Sequence, residues 1–303
     1  MLPRLLDDPT ITRVRSVARR PLEPWAGDTG HPKLVHTQAD LREDGARRAL
    51  EGVDVLWHLG FALWRGGDGA HLNLDGTRNV LAARPGRVVF ASSVAVYGAW
   101  PDNPVPLTEE QWPRPNRECP YASQKLTAER VCREAASTTV LRIAAVLGPH
   151  TDPAIGSATL GYRRAVPAVR GVDQALQFLD EEDAAIALHL AGAAGREGVF
   201  NIAPLDWVNQ RDIARLAGSR VVRLPARVLL SASDAACRLR LLPFGADRAV
   251  LITGPLAVDA ARAGKEFGWR ATQGSADVLS AALSGDGSQT APVTSPEIVQ
   301  ARL

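Results

Sequence analysis

Short apolar runs alternate with amphipathic stretches through the first half of this chain, and that alternation restricts it to one class of fold. Val88 to Ala91, within Arg87-Val-Val-Phe-Ala-Ser-Ser93, is an unbroken run rich in β-formers. Such a run suits a strand buried on both faces of a parallel sheet. Val53-Asp-Val-Leu-Trp-His-Leu-Gly60 reads the same way, and Leu72-Asn-Leu-Asp-Gly-Thr-Arg-Asn-Val-Leu81 after it has a helical pattern. The spacing predicts strands near 11–18, 34–39, 53–59, 87–92 and 139–143, with helices near 43–51, 72–84 and 121–135. Strand-helix alternation of this kind implies an α/β fold with helices on both faces of a parallel sheet. Ligands then meet the sheet at the carboxyl ends of its strands, where Ser92 and Ser93 fall.

Two scarce residue types share one helical stretch. The chain holds three tyrosines and three lysines (Lys33, Lys125, Lys265) against 32 arginines. Tyr121 and Lys125 lie in Pro120-Tyr-Ala-Ser-Gln-Lys-Leu-Thr-Ala-Glu129, four residues apart. Positions i and i+4 share a helix face, so the ammonium can sit beside the phenol. A neighbouring cation favours phenolate and lowers a tyrosine pKa, as a general acid/base working near neutrality requires. A half-buried Tyr beside a solvated Lys is the plain alternative for this spacing taken alone.

Composition excludes several classes. A net charge of +2, with no Lys/Arg-rich run, gives no case for nucleic acid. No signal-peptide pattern occurs, and no apolar run approaches the about 18 residues needed to cross a bilayer. Cys119, Cys132 and Cys237 are odd in number and lack metal-site spacing. They read as reduced thiols of a cytoplasmic protein, with no metal site expected.

In their order, these segments resemble the extended short-chain dehydrogenase/reductase family, whose NAD-dependent epimerases and dehydratases act largely on nucleotide sugars. The resemblance rests on Ala39-Asp40-Leu41, His58-Leu59-Gly60, Asn73, Ser92-Ser93 with Val96-Tyr97-Gly98, and Tyr121-x-x-x-Lys125. It continues through Leu141-Arg142, Leu147-Gly148-Pro149, Phe178-Leu-Asp-Glu-Glu-Asp-Ala-Ala185 and Gly198-Val-Phe-Asn-Ile202. It implies a Rossmann-type doubly wound parallel sheet over 1–148, which would bind NAD(P). A smaller substrate domain would follow over 149–283, with 178–203 returning to the main sheet. The stretch 284–303 has the composition of a disordered tail.

The same resemblance implies Ser93, Tyr121 and Lys125 as catalytic residues. Asp40, Leu41, His58, Leu59, Gly60, Asn73 and Ser92 would line the cofactor, with His58 contributing backbone rather than imidazole chemistry. Arg19 and Arg20 follow the second strand, where NAD enzymes carry an acid for the ribose hydroxyls. Arginine there can pair with a 2′-phosphate, which tilts the expectation between NAD and NADP towards NADP. Arg163, Arg164 and Arg248 could hold a substrate diphosphate, but the expectation for each is a solvated face. Val94-Ala95-Val96 after Ser93 carries no carboxylate, so elimination is disfavoured against epimerisation or alcohol/ketone redox. Ala145 stands where relatives often have Asn, which weakens a sugar-nucleotide assignment. The expected partner is a small molecule, with neither nucleic acid nor membrane, and a homodimer is compatible with the resemblance. The competing reading is a homologue of this fold that has lost redox function.

One departure is large. Family members open with a strand, a Gly-x-x-Gly-x-x-Gly turn and a helix whose N-terminus holds the cofactor pyrophosphate. This chain opens on Met1-Leu-Pro-Arg-Leu-Leu-Asp-Asp8, which resembles the end of that helix. Gly66-Gly67-Asp68-Gly69 comes after the fourth strand and reads as a surface loop rather than a substitute. In the usual order 3-2-1-4-5-6 the missing strand is central, and its loss would strand two rows of backbone hydrogen-bonding groups. The expectation is a start set roughly 20 to 30 residues inside the protein. The alternative is a real loss, with the gap filled by rearrangement and nicotinamide binding impaired.

Overall fold

The computed structural model describes residues 1–23, 30–62, 69–284 and 298–302, without the side chains of 69–71 and 298–302. Helix α1 (Leu2–Asp7) leads into strands β1 (Arg13–Ala18) and β2 (Leu34–Gln38), which pair in parallel. Helix α2 (Asp44–Leu50) precedes β3 (Val55–His58), all four of whose residues are buried. Helix α3 (Gly69–Leu81) and β4 (Arg87–Ser93) follow, then a 3-10 turn (Val94–Tyr97), helix α4 (Pro120–Ala135) and β5 (Ser137–Ile143). Burial on both sheet faces explains why β3 and β4 read as continuous apolar runs. Of the Gly66–Gly69 cluster, only Gly69 lies within the described residues, and it opens α3.

Strand β6 (Ala145–Leu147) turns away from the main sheet and pairs in parallel with β8 (Phe178–Asp180). Between them lie α5 (Pro153–Gly161) and β7 (Val166–Val169). Helix α6 (Glu181–Ala194) then packs back on the main sheet, and β9 (Gly198–Ile202) pairs with β5. Gly192 is where α6 crosses β3: a Cβ there would run into the Trp57 ring, whose Nε1 donates to Leu188 O at 2.8 Å. Helix α7 (Gln210–Leu216), β10 (Val221–Leu224), which pairs with β7, and α8 (Ala226–Arg238) continue the chain. Short helices α9 (Ala246–Ala249) and α10 (Ala261–Phe267) and helix α11 (Ser275–Ser284) complete that part.

The sheet's centre departs from expectation. Its order is β2-β1-β11-β3-β4-β5-β9, where β11 is Ile298–Arg302. Strand β11 runs antiparallel to both neighbours, pairing Val14 with Ala301 and Ser16 with Val299 on one side, and Leu56 with Gln300 on the other. All other pairs of this sheet are parallel. The two rows of donors and acceptors expected to lack partners therefore meet β11, and part of the expected disordered tail is a strand. The physical reason is the cost of unpaired backbone groups inside a sheet, which any extended segment within reach relieves. Residues 285–297 and 303 of that tail lie outside the described residues.

Candidate active site

Helix α4 starts with Pro120 at its first position, where a missing N–H costs nothing. The face it turns to the sheet carries Ala122, Lys125, Ala128, Glu129 and Cys132, a helical spacing that includes two ionisable groups. Buried Lys and Glu are rare unless paired, and both are paired here. Lys125 Nζ donates to Ala91 O at 2.5 Å, and it lies 4.0 Å from the Phe61 ring centroid and 5.0 Å from that of Phe90. Glu129 accepts from Arg142 Nε at 3.1 Å and Nη2 at 2.8 Å, and from the Ser92 hydroxyl. Arg142 also stands 4.8 Å from the Tyr97 ring, and Tyr97 Oη donates to Asn201 Oδ1 at 2.8 Å. This chain of contacts ties α4, β4, β5 and β9 together beneath the serines.

A cavity of about 820 Å³ opens above them. Its wall brings together Arg19, Arg20, Asp40, Leu41, Leu59, Gly60, Asn73, Ser92, Ser93, Tyr121 and Lys125. His58 is the one expected cofactor residue outside that wall. Its ring is buried, with Nε2 2.8 Å from Thr77 Oγ1. The Thr77 hydroxyl donates to Asn73 O, so His58 Nε2 must carry the proton. Among the described residues His58 Nδ1 then has no partner, and burial pulls the pKa down to about 3. A neutral imidazole here is packing.

Other residues differ in detail from what their motifs implied. The Asn73 amide is committed: Oδ1 accepts from Ala62 N at 2.7 Å, while Nδ2 donates to Ala62 O and to Gln124 Oε1. It shapes the wall rather than presenting a free amide to a ligand. Asp40 accepts from the backbone N and side chain of Arg42, and these bonds hold its pKa down. Arg19 and Arg20 are exposed at the end of β1.

The chemistry of the tyrosine also differs. Burial pushes the Tyr121 phenol up, opposed by the Arg248 guanidinium and by a hydrogen bond with Ser93. Lys125 Nζ is 5.7 Å from the Tyr121 ring centroid, and burial pulls the lysine down to about 7. Arg248 stands nearer, its Cζ 4.2 Å from the same centroid, and lines the cavity instead of a solvated face. His150 and Glu181 form a further pair on the wall, with Nδ1 2.7 Å from Oε1. No side chain fits at Gly148, because a Cβ would overlap Glu181. Phe61, His150 and Glu181 were not singled out as site residues by the sequence, and Arg248 was named there only for a substrate diphosphate. Only Glu129, four residues beyond Lys125, had a readable spacing. Among the described residues no cluster of His, Cys, Asp and Glu is arranged to hold a metal ion.

The donor set suits a dinucleotide in part. Asp40, Arg19 and Arg20 face one end of the cavity, suited to adenosine, and Ser93, Tyr121 and Lys125 face the other, suited to a nicotinamide ribose. Among the described residues no glycine-rich turn lies between the two groups to cradle a pyrophosphate.

The pattern of the NAD dependent epimerase/dehydratase family matches residues 2–203. An uncharacterised protein of Mycobacterium tuberculosis strain H37Rv is 31% identical over 241 residues, covering 73% of this chain. The chain spans 63% of that relative's length. Among solved structures, MoeE5 in complex with UDP-glucose and NAD superposes with a TM-score of 0.65 at 22% identity, covering 89% of each chain. Bordetella bronchiseptica WbmG in complex with NAD gives 0.66 at 19% identity, over 90% of this chain and 85% of the other. At these identities the likeness is one of fold. Among the described residues no helix is long and apolar enough to cross a membrane.

Proposed function

Because the chain belongs to the NAD dependent epimerase/dehydratase family, we propose that it is an NAD(P)-dependent epimerase or alcohol/ketone oxidoreductase acting on a hydroxylated small molecule. The observation that carries this reading is the meeting of Ser93, Tyr121 and Lys125 on one cavity wall at the carboxyl end of β4. Tyr121 exchanges a proton with the substrate oxygen, and Ser93 hydrogen-bonds to that oxygen. Lys125 holds the nicotinamide ribose. A bound nicotinamide supplies hydride exchange with the substrate carbon. Epimerisation or simple redox is favoured over elimination, since the turn after Ser93 is buried Val94-Ala95-Val96 with no carboxylate to move a second proton.

Sugar-nucleotide-like substrates are supported by the ligands of MoeE5. Arg19 and Arg20 at the adenosine end support NADP over NAD. The same reading carries a two-domain division near residue 148, a cytoplasmic setting and a homodimer. A second reading, a homologue without redox function, is supported by the antiparallel β11 at the sheet's centre, beside the place where the family holds a pyrophosphate.

Calorimetric titration with NADH and NADPH separates the two. Binding that Lys125→Met weakens supports the enzyme, and a preference for NADPH abolished by Arg19→Ser with Arg20→Ser supports NADP. Failure of both nucleotides to bind at millimolar concentration would favour the second reading.

A further inference from the structure

Arg248 reaches Tyr121 from far along the chain, and its backbone is fixed in place. Asp234 Oδ1 on α8 accepts from Ala246 N at 2.7 Å, capping α9. Gly245 passes so close to that carboxylate that a Cβ would overlap it. On the other side, Val250 packs with Ala95, Cys119 and Ala122 at the head of α4. The Thr253 hydroxyl lies against Val250 O and Ala99 O at 2.8 and 3.3 Å. The segment is therefore clamped between α8 and the catalytic helix, and the guanidinium is held 4.2 Å from the phenol ring.

Among the described residues two cations face this tyrosine, and they are not equivalent. Lys125 is 5.7 Å from the ring centroid, with its ammonium committed to Ala91 O. Its pKa of about 7, set mainly by burial, leaves much of it neutral at neutral pH. A guanidinium cannot be deprotonated in a protein, and it stacks well on an aromatic face. Phenolate carries negative charge into that face, so a stacked cation favours it over phenol.

We propose that Arg248 is the positioning residue that sets the acidity of Tyr121, and that Lys125 serves mainly to hold the ribose. The docking of the later part of the chain on α4 then becomes a condition for a reactive tyrosine. This inference rests on Tyr121 being the proton-exchanging group, as in the reading above. Among the described residues, Tyr121 also meets the edge of Phe61, Ser93, whose hydrogen bond also favours the phenolate, and Cys119, which opposes it. None of these carries a permanent charge.

The test reads the tyrosine itself. With 3-fluorotyrosine replacing the three tyrosines, ¹⁹F NMR follows each titration, and the signal lost in Tyr121→Phe identifies Tyr121. Arg248→Gln is expected to raise the Tyr121 midpoint by about one pH unit or more, the usual effect of a charge at this range. Arg248→Lys should restore most of the difference, because both variants disturb the packing and only one removes the charge. Lys125→Met should move the midpoint less than Arg248→Gln does. An unchanged midpoint in Arg248→Gln, or a larger change in Lys125→Met, would overturn the proposal. No turnover is needed, so a shifted midpoint in a chain without NAD(P) activity would uphold the role of Arg248 while removing the enzymatic reading.

Discussion

The two halves of the main sheet are held by different means. On one side, β3, β4, β5 and β9 run parallel, and the last three are cross-linked below the site by Ser92, Glu129, Arg142, Tyr97 and Asn201. On the other, β1 and β2 reach the rest of the sheet through the backbone of β11. Further ties run through α1, where Leu2, Leu5 and Leu6 are buried and Asp8 Oδ2 lies 2.8 Å from His189 Nε2, and through apolar packing of Val14, Val17 and Ala39. The half that bears Tyr121 and Lys125 is thus specified by its own side chains. The half that bears Arg19, Arg20 and Asp40 depends on one antiparallel strand for its backbone pairing to the rest of the sheet. Proton-transfer geometry should be robust in this chain, and the adenosine end should be the softer one.

Ending the chain at Ser284 is the strongest way to break this comparison. Loss of β11 strips partners from β1 and β3, and stability should fall on the order of 5 kcal/mol from the lost pairing alone. Amide exchange should then separate the halves, with β1 and β2 exchanging freely while β4 and β5 stay protected. Loss of protection in both halves together would mean that the sheet is one cooperative unit, and the contrast would fail.

The complementary change strikes the other half. Glu129→Ala leaves Arg142 buried, about 5% exposed, without its carboxylate. Breaking such a pair from one side costs about 3 kcal/mol or more. The exposed pair Arg47–Glu51, at 31% and 54% exposure, is the control: Glu51→Ala should cost under about 1 kcal/mol. Equal effects in urea unfolding would show that the buried network is no special support for the site.

These contrasts were unevenly legible in the sequence. The strands around β4 and the face of α4 could be read because both are local: an apolar run, and two rare residues four apart. The Glu129–Arg142 pair was half visible, since Glu129 continues the α4 spacing while Arg142 meets it only through the β4–β5 register. Nothing in Ile298-Val-Gln-Ala-Arg302 marks a central strand, because its place is set by unpaired edges elsewhere rather than by its own pattern. Arg248 was named among three arginines, but its place beside Tyr121 was hidden for a related reason. Charge alone cannot select one arginine among 32, and its contact arises only when α9 docks on α4. Asn73 lies on the wall, but its commitment to Ala62 and Gln124 is a matter of rotamer, which spacing does not encode.

Within the better-supported half, Tyr121→Phe sharpens the comparison at the level of chemistry. It removes the proton and leaves the ring against Phe61, where the two rings meet edge to face at 5.8 Å. Turnover with any substrate that supports an NAD(P)H absorbance change should fall about a hundredfold or more, equivalent to about 2.7 kcal/mol in the barrier. Nucleotide affinity measured by calorimetry should hardly move. Full activity in the Phe variant would place the chemistry elsewhere on the wall, with His150 and Glu181 as the next groups to test.

The smallest expected effect concerns the charge on Lys125. Its pKa falls from 10.5 in the unfolded chain to about 7 when folded, chiefly through burial. Between those values the unfolded state holds the proton and the folded state does not. The unfolded state therefore binds more protons, and this lysine makes stability rise with pH through that window. Below about pH 7 the folded protein must carry a buried ammonium, and the contribution is at its least favourable. His58, lowered from 6.5 to about 3, acts below the window, whereas Cys132, raised from 9.0 to about 12 by burial, opposes the trend above about pH 9. Groups common to both proteins cancel when wild type is compared with Lys125→Met. From pH 7 to 9, the wild type should therefore gain about 1–2 kcal/mol relative to the Met variant in urea unfolding. Parallel pH dependence in the two proteins would mean that the ammonium stays charged throughout. Lys125 would then be a permanent cation beside Tyr121, and the division of labour between Lys125 and Arg248 would have to be redrawn.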